Sequence, residues 1–137
     1  MCDILKTDRS SARFAGTGIF SGERVSMEYT EVKIEIFIPI AYVEALREAL
    51  NAAGACKVGR YDNCMSVTQV SGYWRPLAGA QPFQGEVGKI CHGQECKVEV
   101  RCRKECIGDA IKAIRKVHPY EEPLVNIVPL LNPLFEM

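Results

Sequence analysis

A run of six residues near the carboxyl end of the sequence concentrates side chains that can do chemistry. Residues 118–123 read His-Pro-Tyr-Glu-Glu-Pro, so an imidazole, a phenol and two carboxylates stand between two prolines. Imidazole nitrogen and carboxylate oxygen bind divalent cations, so His118 and Glu122 are candidate metal ligands. Tyr120 and Glu121 are candidate contacts to a polar ligand. A second interpretation stays open, because two donors do not complete a metal shell and His118 can instead satisfy the last carbonyls of a helix.

Seven cysteines raise the question of zinc, redox or thiol chemistry. They lie at positions 2, 56, 64, 91, 96, 102 and 106, with no C-x₂-C pair among them. Their odd number favours free thiols over a disulfide framework. Alternation with charged residues turns Cys96 and Cys102 toward a core. Cys64 and Cys91 remain candidate nucleophiles of a thiol-dependent enzyme, and Cys91 beside His92 leaves a soft-metal or redox site open.

Other motifs of catalysis are missing from the sequence. Neither G-x-x-x-x-G-K-[ST] nor G-x-G-x-x-G occurs, and two histidines are too few for a His-based di-metal hydrolase centre. The Tyr73-Trp74 pair is typical of a core or an interface, although Trp74 can also stack on a planar ligand. The motifs therefore identify no catalytic residues.

Composition and charge exclude two classes of protein. The 17 basic and 17 acidic residues give a formal net charge of zero, which excludes a general nucleic-acid binder. The longest apolar run, residues 36–43, is far shorter than the ~20 residues of a membrane-spanning helix. Charges at Asp3, Lys6 and Asp8 interrupt any secretory signal, so we expect a cytoplasmic protein with reduced cysteines.

The spacing of apolar residues along the sequence predicts the strands and helices that must position these residues. Residues 1–30 lack a sustained period and predict a flexible N-terminal arm, followed by a single α+β domain over 31–137. Strands are predicted at 32–38, within 61–76, at 96–103 and at 124–130. Amphipathic helices are predicted from Val43 to a stop at Gly54, and from Ile107 to a stop at Pro119.

This βαββαβ order predicts a ferredoxin-like plait. Two helices cover one face of a four-stranded antiparallel sheet, and the other face is left to water or to a partner. Because exposed apolar sheet faces are rarely left uncovered, we expect a homo-oligomer.

Five ordered segments carry a family resemblance. They are Gly59-x-Tyr61-x-x-Cys64, Gly72-x-Trp74-Arg75-Pro76, Gly79-Ala80-x-Pro82-Phe83-x-Gly85-x-x-Gly88, Glu95-x-Lys97-Val98-Glu99 and the run at 118–123. Over residues 32–131 the sequence resembles the YqfO-like domain of the Nif-three (NGG-one-interacting factor three-like) family, in its short stand-alone form. The run at 118–123 is also similar to that of the trimeric CutA cation-tolerance proteins, which share the PII-like plait. Val70, Gln81 and Lys97 depart from the family pattern, which affects loop geometry and not the fold.

The resemblance implies a non-catalytic, oligomeric PII/CutA-like module. Such a module binds a small ligand or a divalent metal ion, or regulates a partner, at a site between subunits. That site is expected near residues 59–64, 79–88 and 118–122. The implied ligand contacts are Tyr61, Cys64, Trp74, Tyr120 and Glu121, and the implied metal ligands are His118 and Glu122.

Hydrolase activity is not implied, because the His-rich di-metal residues of long members belong to a flanking domain that nothing in this sequence matches. A pure assembly or protein-interaction module and a thiol-dependent enzyme remain the alternatives.

Overall fold

Four strands and two α-helices follow one another in the predicted order. The structure is a computed structural model that describes residues 28–135. The strands are β1 (Glu31–Ile38), β2 (Ser66–Trp74), β3 (Cys91–Arg103) and β4 (Val125–Pro129). The α-helices are α1 (Val43–Ala52) and α2 (Ile107–Val117). The predicted arm over 1–30 lies outside the described residues except for its last three positions.

The strands form one antiparallel sheet in the order β2-β3-β1-β4. The two central strands are β1 and β3, in which Ile36 pairs with Val98 and Ile34 with Val100. The edge strand β4 includes Pro129, as expected for a residue that cannot donate to a sheet ladder. The predicted α+β, ferredoxin-like plait is confirmed.

The core lies between the helices and one face of the sheet. Every second residue of β1 is buried, from Val32 to Ile38, and so is every second residue of β3 from Cys96 to Cys102. Helix α1 buries Leu46 and Leu50 against them. The prediction that Cys96 and Cys102 point into the core is therefore confirmed.

The opposite face of the sheet is charged at its centre. The Lys33 ammonium lies 3.0 Å from a Glu35 carboxylate oxygen and 3.4 Å from one of Glu99. Lys97 lies 3.4 Å from Glu99 on the same face. The hydrogen bond from Lys33 holds the pKa of Glu35 below its ordinary value. The centre of this face is thus polar.

One predicted boundary is wrong. Cys91 and His92 were expected to precede the third strand, but β3 begins at Cys91 and pairs with β2 as far as Trp74. The first residues of β3 pair only with β2, so no core face imposes the alternation that reveals the rest of the strand. Within residues 28–135, no helix has the length and apolar character that crossing a bilayer requires.

Candidate functional site

The run at 118–123 forms a fixed corner between α2 and β4. Helix α2 ends at Val117, and His118 is extended, with φ −70° and ψ 128°. Proline at 119 disfavours the helical conformation of the residue before it, so the helix must end here. His118 is buried, with 8% of its surface exposed, and its neighbour Tyr120 is half-buried.

Both ring nitrogens of His118 have hydrogen-bond partners. Nε2 lies 2.6 Å from the Phe37 carbonyl oxygen, and Nδ1 accepts a hydrogen bond from the Tyr120 backbone N–H at 3.2 Å. A carbonyl can only accept and a backbone amide can only donate, so the imidazole is neutral with its proton on Nε2. Burial lowers the pKa of His118, which favours the same neutral state.

These hydrogen bonds bear on the two roles considered for His118, that of a metal ligand and that of a cap for the end of α2. The His118 side chain bonds to the end of β1 and not to the carbonyls of α2, so the capping contact of the second interpretation is not formed, although the helix does end at this corner. A cation at His118 would have to displace either the Phe37 or the Tyr120 bond. Among the described residues, no three His, Cys, Asp or Glu side chains form a group suited to holding a metal ion.

A pocket of about 460 Å³ opens beside this corner. Its walls come from the end of β2, the loop that follows it, the corner itself, and side chains on the open face of the sheet. Five aromatic residues line it: Phe37, Tyr73, Trp74, Phe83 and Tyr120. Four charged side chains also line it: Arg75, Glu95, Glu121 and Glu122. We call this cavity the Trp74–Tyr120 pocket.

Two of its carboxylates are held in place by neutral donors. The Tyr120 hydroxyl donates to Glu95 Oε2 at 3.0 Å, and the Gln81 backbone N–H donates to Glu121 Oε2 at 2.9 Å. Burial, together with the bond to Glu95, raises the pKa of Tyr120 to about 12, so the phenol stays protonated and remains a donor. These bonds fix the positions of the carboxylates without neutralising their charge.

The aromatic walls are held in place as well. The Trp74 indole N–H donates to the Gln84 carbonyl at 3.0 Å. The Phe83 ring stands edge-on to Tyr120, with centroids 5.9 Å apart. Gly85 has φ +106°, and a Cβ there would lie 2.9 Å from Trp74 Nε1, so glycine lets the loop close over the indole.

The structure brings together only part of the predicted site. Trp74, Tyr120, Glu121 and Glu122 line one pocket. Cys64 lines a separate cavity of about 260 Å³ with Lys33 and Arg101 among its walls. Tyr61 is 75% exposed on the turn before Cys64. Both residues precede Ser66, the first residue of β2, whereas Trp74 is its last, so the length of the strand, about 27 Å at 3.4 Å per residue, separates Trp74 from the end at which they lie.

Three residues that line the pocket or support its walls, Glu95, Phe83 and Gln81, were not among the predicted contacts. Glu95 continues the alternation of charged residues along β3, which places it on the open face with Lys97, so a signal for it was present. Phe83 and Gln81 lie in the loop 79–88, which the family resemblance placed near the site, but the loop has no periodicity that would predict their individual contacts with the corner.

Curated relatives share most of the described region with this chain. No family model matches the sequence. A Bacillus subtilis (strain 168) protein named GTP cyclohydrolase 1 type 2 homolog is 38% identical over 98 residues, covering 72% of this chain and 26% of that protein. A protein of the same name from Halalkalibacterium halodurans is 34% identical over 100 residues, covering 73% and 27%. The chain thus spans about a quarter of the length of these relatives.

Solved structures agree on the fold. A Bacillus cereus protein related to NIF3 matches with a TM-score of 0.67 and 28% identity, over 78% of this chain and 27% of that one. The periplasmic divalent cation tolerance protein CutA from Archaeoglobus fulgidus matches with a TM-score of 0.55 and 18% identity, over 74% and 84%. The PII-like protein CutA from Nostoc matches with a TM-score of 0.56 and 14% identity, over 75% and 84%.

Proposed function

We propose that this chain, which carries the YqfO-like domain of the Nif-three family in a PII/CutA-like fold, binds a small molecule in the Trp74–Tyr120 pocket. The proposal concerns binding by this domain, because the chain spans only about a quarter of the relatives named GTP cyclohydrolase 1 type 2 homolog. It assigns no catalytic residue.

The composition of the pocket carries the proposal. Small-molecule sites are concave and mostly apolar, with a few fixed polar groups that orient the ligand. Here a cavity of about 460 Å³ combines aromatic walls with the carboxylates of Glu95 and Glu121. Side chains already held by hydrogen bonds lose little conformational entropy when a ligand binds.

A divalent cation at His118 and Glu122 is a second proposal. The names of the CutA neighbours, divalent cation tolerance proteins, favour it. The two hydrogen bonds of His118 weigh against it, because a metal needs a free ring nitrogen. We therefore place the cation second and include it in the test.

Self-association is part of the proposal. Tyr61 and Cys64 lie toward the end of β2 that is remote from Trp74, so they can join the Trp74–Tyr120 pocket only from another copy of the chain. In that case the site lies between subunits. A module that uses the same surfaces only for assembly, or to regulate a protein partner, is the remaining alternative.

A nuclear magnetic resonance titration tests these proposals. The sequence has one tryptophan, so the Trp74 indole N–H gives a single resonance that reports on the pocket. The chain is screened against a library of small aromatic and polar fragments, and separately against Mg²⁺, Mn²⁺ and Zn²⁺. Saturable shifts of the indole and of the Gln81 and Tyr120 amides, produced by fragments, are expected.

Three other outcomes decide among the alternatives. Shifts confined to His118 and Glu122 on addition of a cation would replace the pocket proposal with the metal proposal. Shifts that depend only on protein concentration would favour an assembly module. A pocket that responds to no fragment would overturn the proposed function.

A further inference from the structure

We infer that the Trp74–Tyr120 pocket selects organic cations that carry a planar hydrophobic group, an inference that rests on the proposed function. The proposed function says only where a small molecule binds, whereas this inference also specifies the charge and the shape of that molecule.

Carboxylates outnumber cationic side chains in the wall of the pocket. Two carboxylates with neutral hydrogen-bond partners, from Glu95 and Glu121, line the cavity, against one guanidinium from Arg75. Those of Glu95 and Glu121 accept hydrogen bonds from a phenol and a backbone amide, which are neutral donors. These bonds hold the carboxylates in place while leaving their negative charge uncompensated beside the cavity.

Much of the remaining wall is aromatic. Trp74 and Phe83 are 36% and 47% exposed, and with Tyr120 they present ring surface to the cavity. Aromatic rings attract cations through their quadrupole and also bury planar apolar groups. Aromatic surface beside carboxylates suits a ligand that is apolar at one end and positively charged at the other.

The same features act against other ligand classes. An anion would meet the carboxylates of Glu95 and Glu121 and a single guanidinium, and like charges repel most where water is partly excluded. A neutral aromatic ligand keeps the contact with the rings but adds no positive charge beside Glu95 and Glu121. The order of affinity expected from the wall is therefore cation, then neutral compound, then anion.

Three matched probes test this order. They are 2-phenylethylammonium, 2-phenylethanol and phenylacetate, which share a phenyl ring on a short chain and differ in the charge of the head group. Fluorescence of the one tryptophan, Trp74, reports binding directly. We expect 2-phenylethylammonium to bind at least about tenfold more tightly than 2-phenylethanol, and phenylacetate to bind most weakly.

A variant and a matched control locate the preference. Glu121→Gln keeps an oxygen that can accept from the Gln81 amide but removes the charge, and it is expected to reduce the preference for the ammonium probe by about threefold or more. Glu48→Gln removes an exposed carboxylate of α1 that does not line the pocket, and it is expected to leave all three affinities unchanged. Added salt should weaken the binding of 2-phenylethylammonium more than the binding of 2-phenylethanol.

The outcomes separate this inference from the proposed function. If the alcohol or phenylacetate binds as tightly as the ammonium probe, the pocket binds small molecules but the inferred charge preference is overturned. If no probe changes Trp74 fluorescence and no fragment shifts its indole resonance, the proposed function fails as well. An equal loss of ammonium affinity in Glu48→Gln and Glu121→Gln would also overturn the assignment of the charge to this pocket.

Discussion

The imidazole of His118 donates a hydrogen bond from Nε2 to the Phe37 carbonyl oxygen at 2.6 Å, which ties the corner after α2 to the end of β1. The two residues are 81 positions apart in the sequence. Phe37 lines the Trp74–Tyr120 pocket, and Tyr120 donates its backbone N–H to the same imidazole. His118 is thus a positioning residue that holds two walls of the pocket together.

The stability of the protein is predicted to depend on the protonation of His118. Burial lowers its pKa in the folded state below the ordinary value of 6.5. As the pH falls below 6.5, His118 binds a proton in the unfolded chain but stays neutral in the folded chain. The free energy of unfolding therefore falls, and it continues to fall until the pH reaches the lower pKa of the folded state. Within that window the loss is about 1.4 kcal/mol per pH unit.

Urea denaturation at a series of pH values measures this dependence. His118→Gln should lose that part of the pH dependence, and removal of the neutral imidazole should cost about 1–3 kcal/mol above pH 7. His92→Gln, which changes the exposed histidine, should keep the pH dependence of the parent. Identical pH profiles for the parent and His118→Gln would contradict the assignment.

Gly85→Ala is predicted to displace the indole of Trp74. The added Cβ would lie 2.8 Å from Cys91 Sγ and 2.9 Å from Trp74 Nε1, both closer than real contacts allow. Gly79→Ala is the matched control, because Gly79 also has positive φ, at +92°, but has nothing within 4 Å of its Cβ position. Both variants should lose more than about 1 kcal/mol through backbone strain.

Only Gly85→Ala should change the site. Its tryptophan emission is expected to shift, and its affinity for 2-phenylethylammonium to fall, whereas Gly79→Ala keeps both properties of the parent. If the two substitutions change emission and affinity equally, backbone strain in the loop explains the effect, and the predicted clash of the Gly85→Ala side chain with Trp74 is contradicted.

The bond between Tyr120 and Glu95 is predicted to couple the corner to the sheet. A double-mutant cycle of Tyr120→Phe and Glu95→Gln should give a coupling energy of about 1–2 kcal/mol in the free energy of unfolding, as expected for a hydrogen bond to a charged group. The control cycle of Tyr120→Phe with Glu48→Gln should give none. If the test cycle and the control cycle give the same coupling energy, a specific bond between Tyr120 and Glu95 is ruled out.

Cysteine reactivity is predicted to follow burial. Burial raises the pKa of Cys56 and of Cys102 to about 11, and Cys96 is buried as well, so these three thiols should react slowly with a maleimide in the folded protein. Cys64 and Cys91 are partly exposed and should react faster. Mass spectrometry of the labelled peptides measures each rate.

The same experiment tests the thiol-enzyme alternative. An activated nucleophile at Cys64 or Cys91 would react much faster than the thiol of glutathione at neutral pH. Fast labelling of Cys96 and Cys102 in the folded state would instead contradict their place in the core.

Most of the fold could be predicted where one face of an element meets the core. Residues 32–38 alternate because each inward side chain packs under the helices, and Gly54 was a predictable helix end, which its φ of +93° confirms. The start of β3 was not predictable, because that part of the strand lies outside the reach of the helices.

The site was less predictable because distant parts of the chain build it. Tyr120 meets Glu95 across 25 positions, and Glu121 meets Gln81 across 40. The sequence identified the residues at the corner, and the family resemblance placed the loop 79–88 near them, but their individual partners were not predicted. A metal role was therefore suggested for His118, although both of its ring nitrogens have hydrogen-bond partners. The loop after β2 has no periodicity that would place Phe83 against Tyr120.

A crystal structure of the chain soaked with 2-phenylethylammonium tests the central claim most directly. The account predicts electron density for the probe in the Trp74–Tyr120 pocket, with its ring against Trp74 or Phe83 and its ammonium within hydrogen-bonding distance of Glu95 or Glu121. Density for the probe only at other sites, or a pocket so completely filled by side chains of a second copy that the probe is excluded, would contradict it.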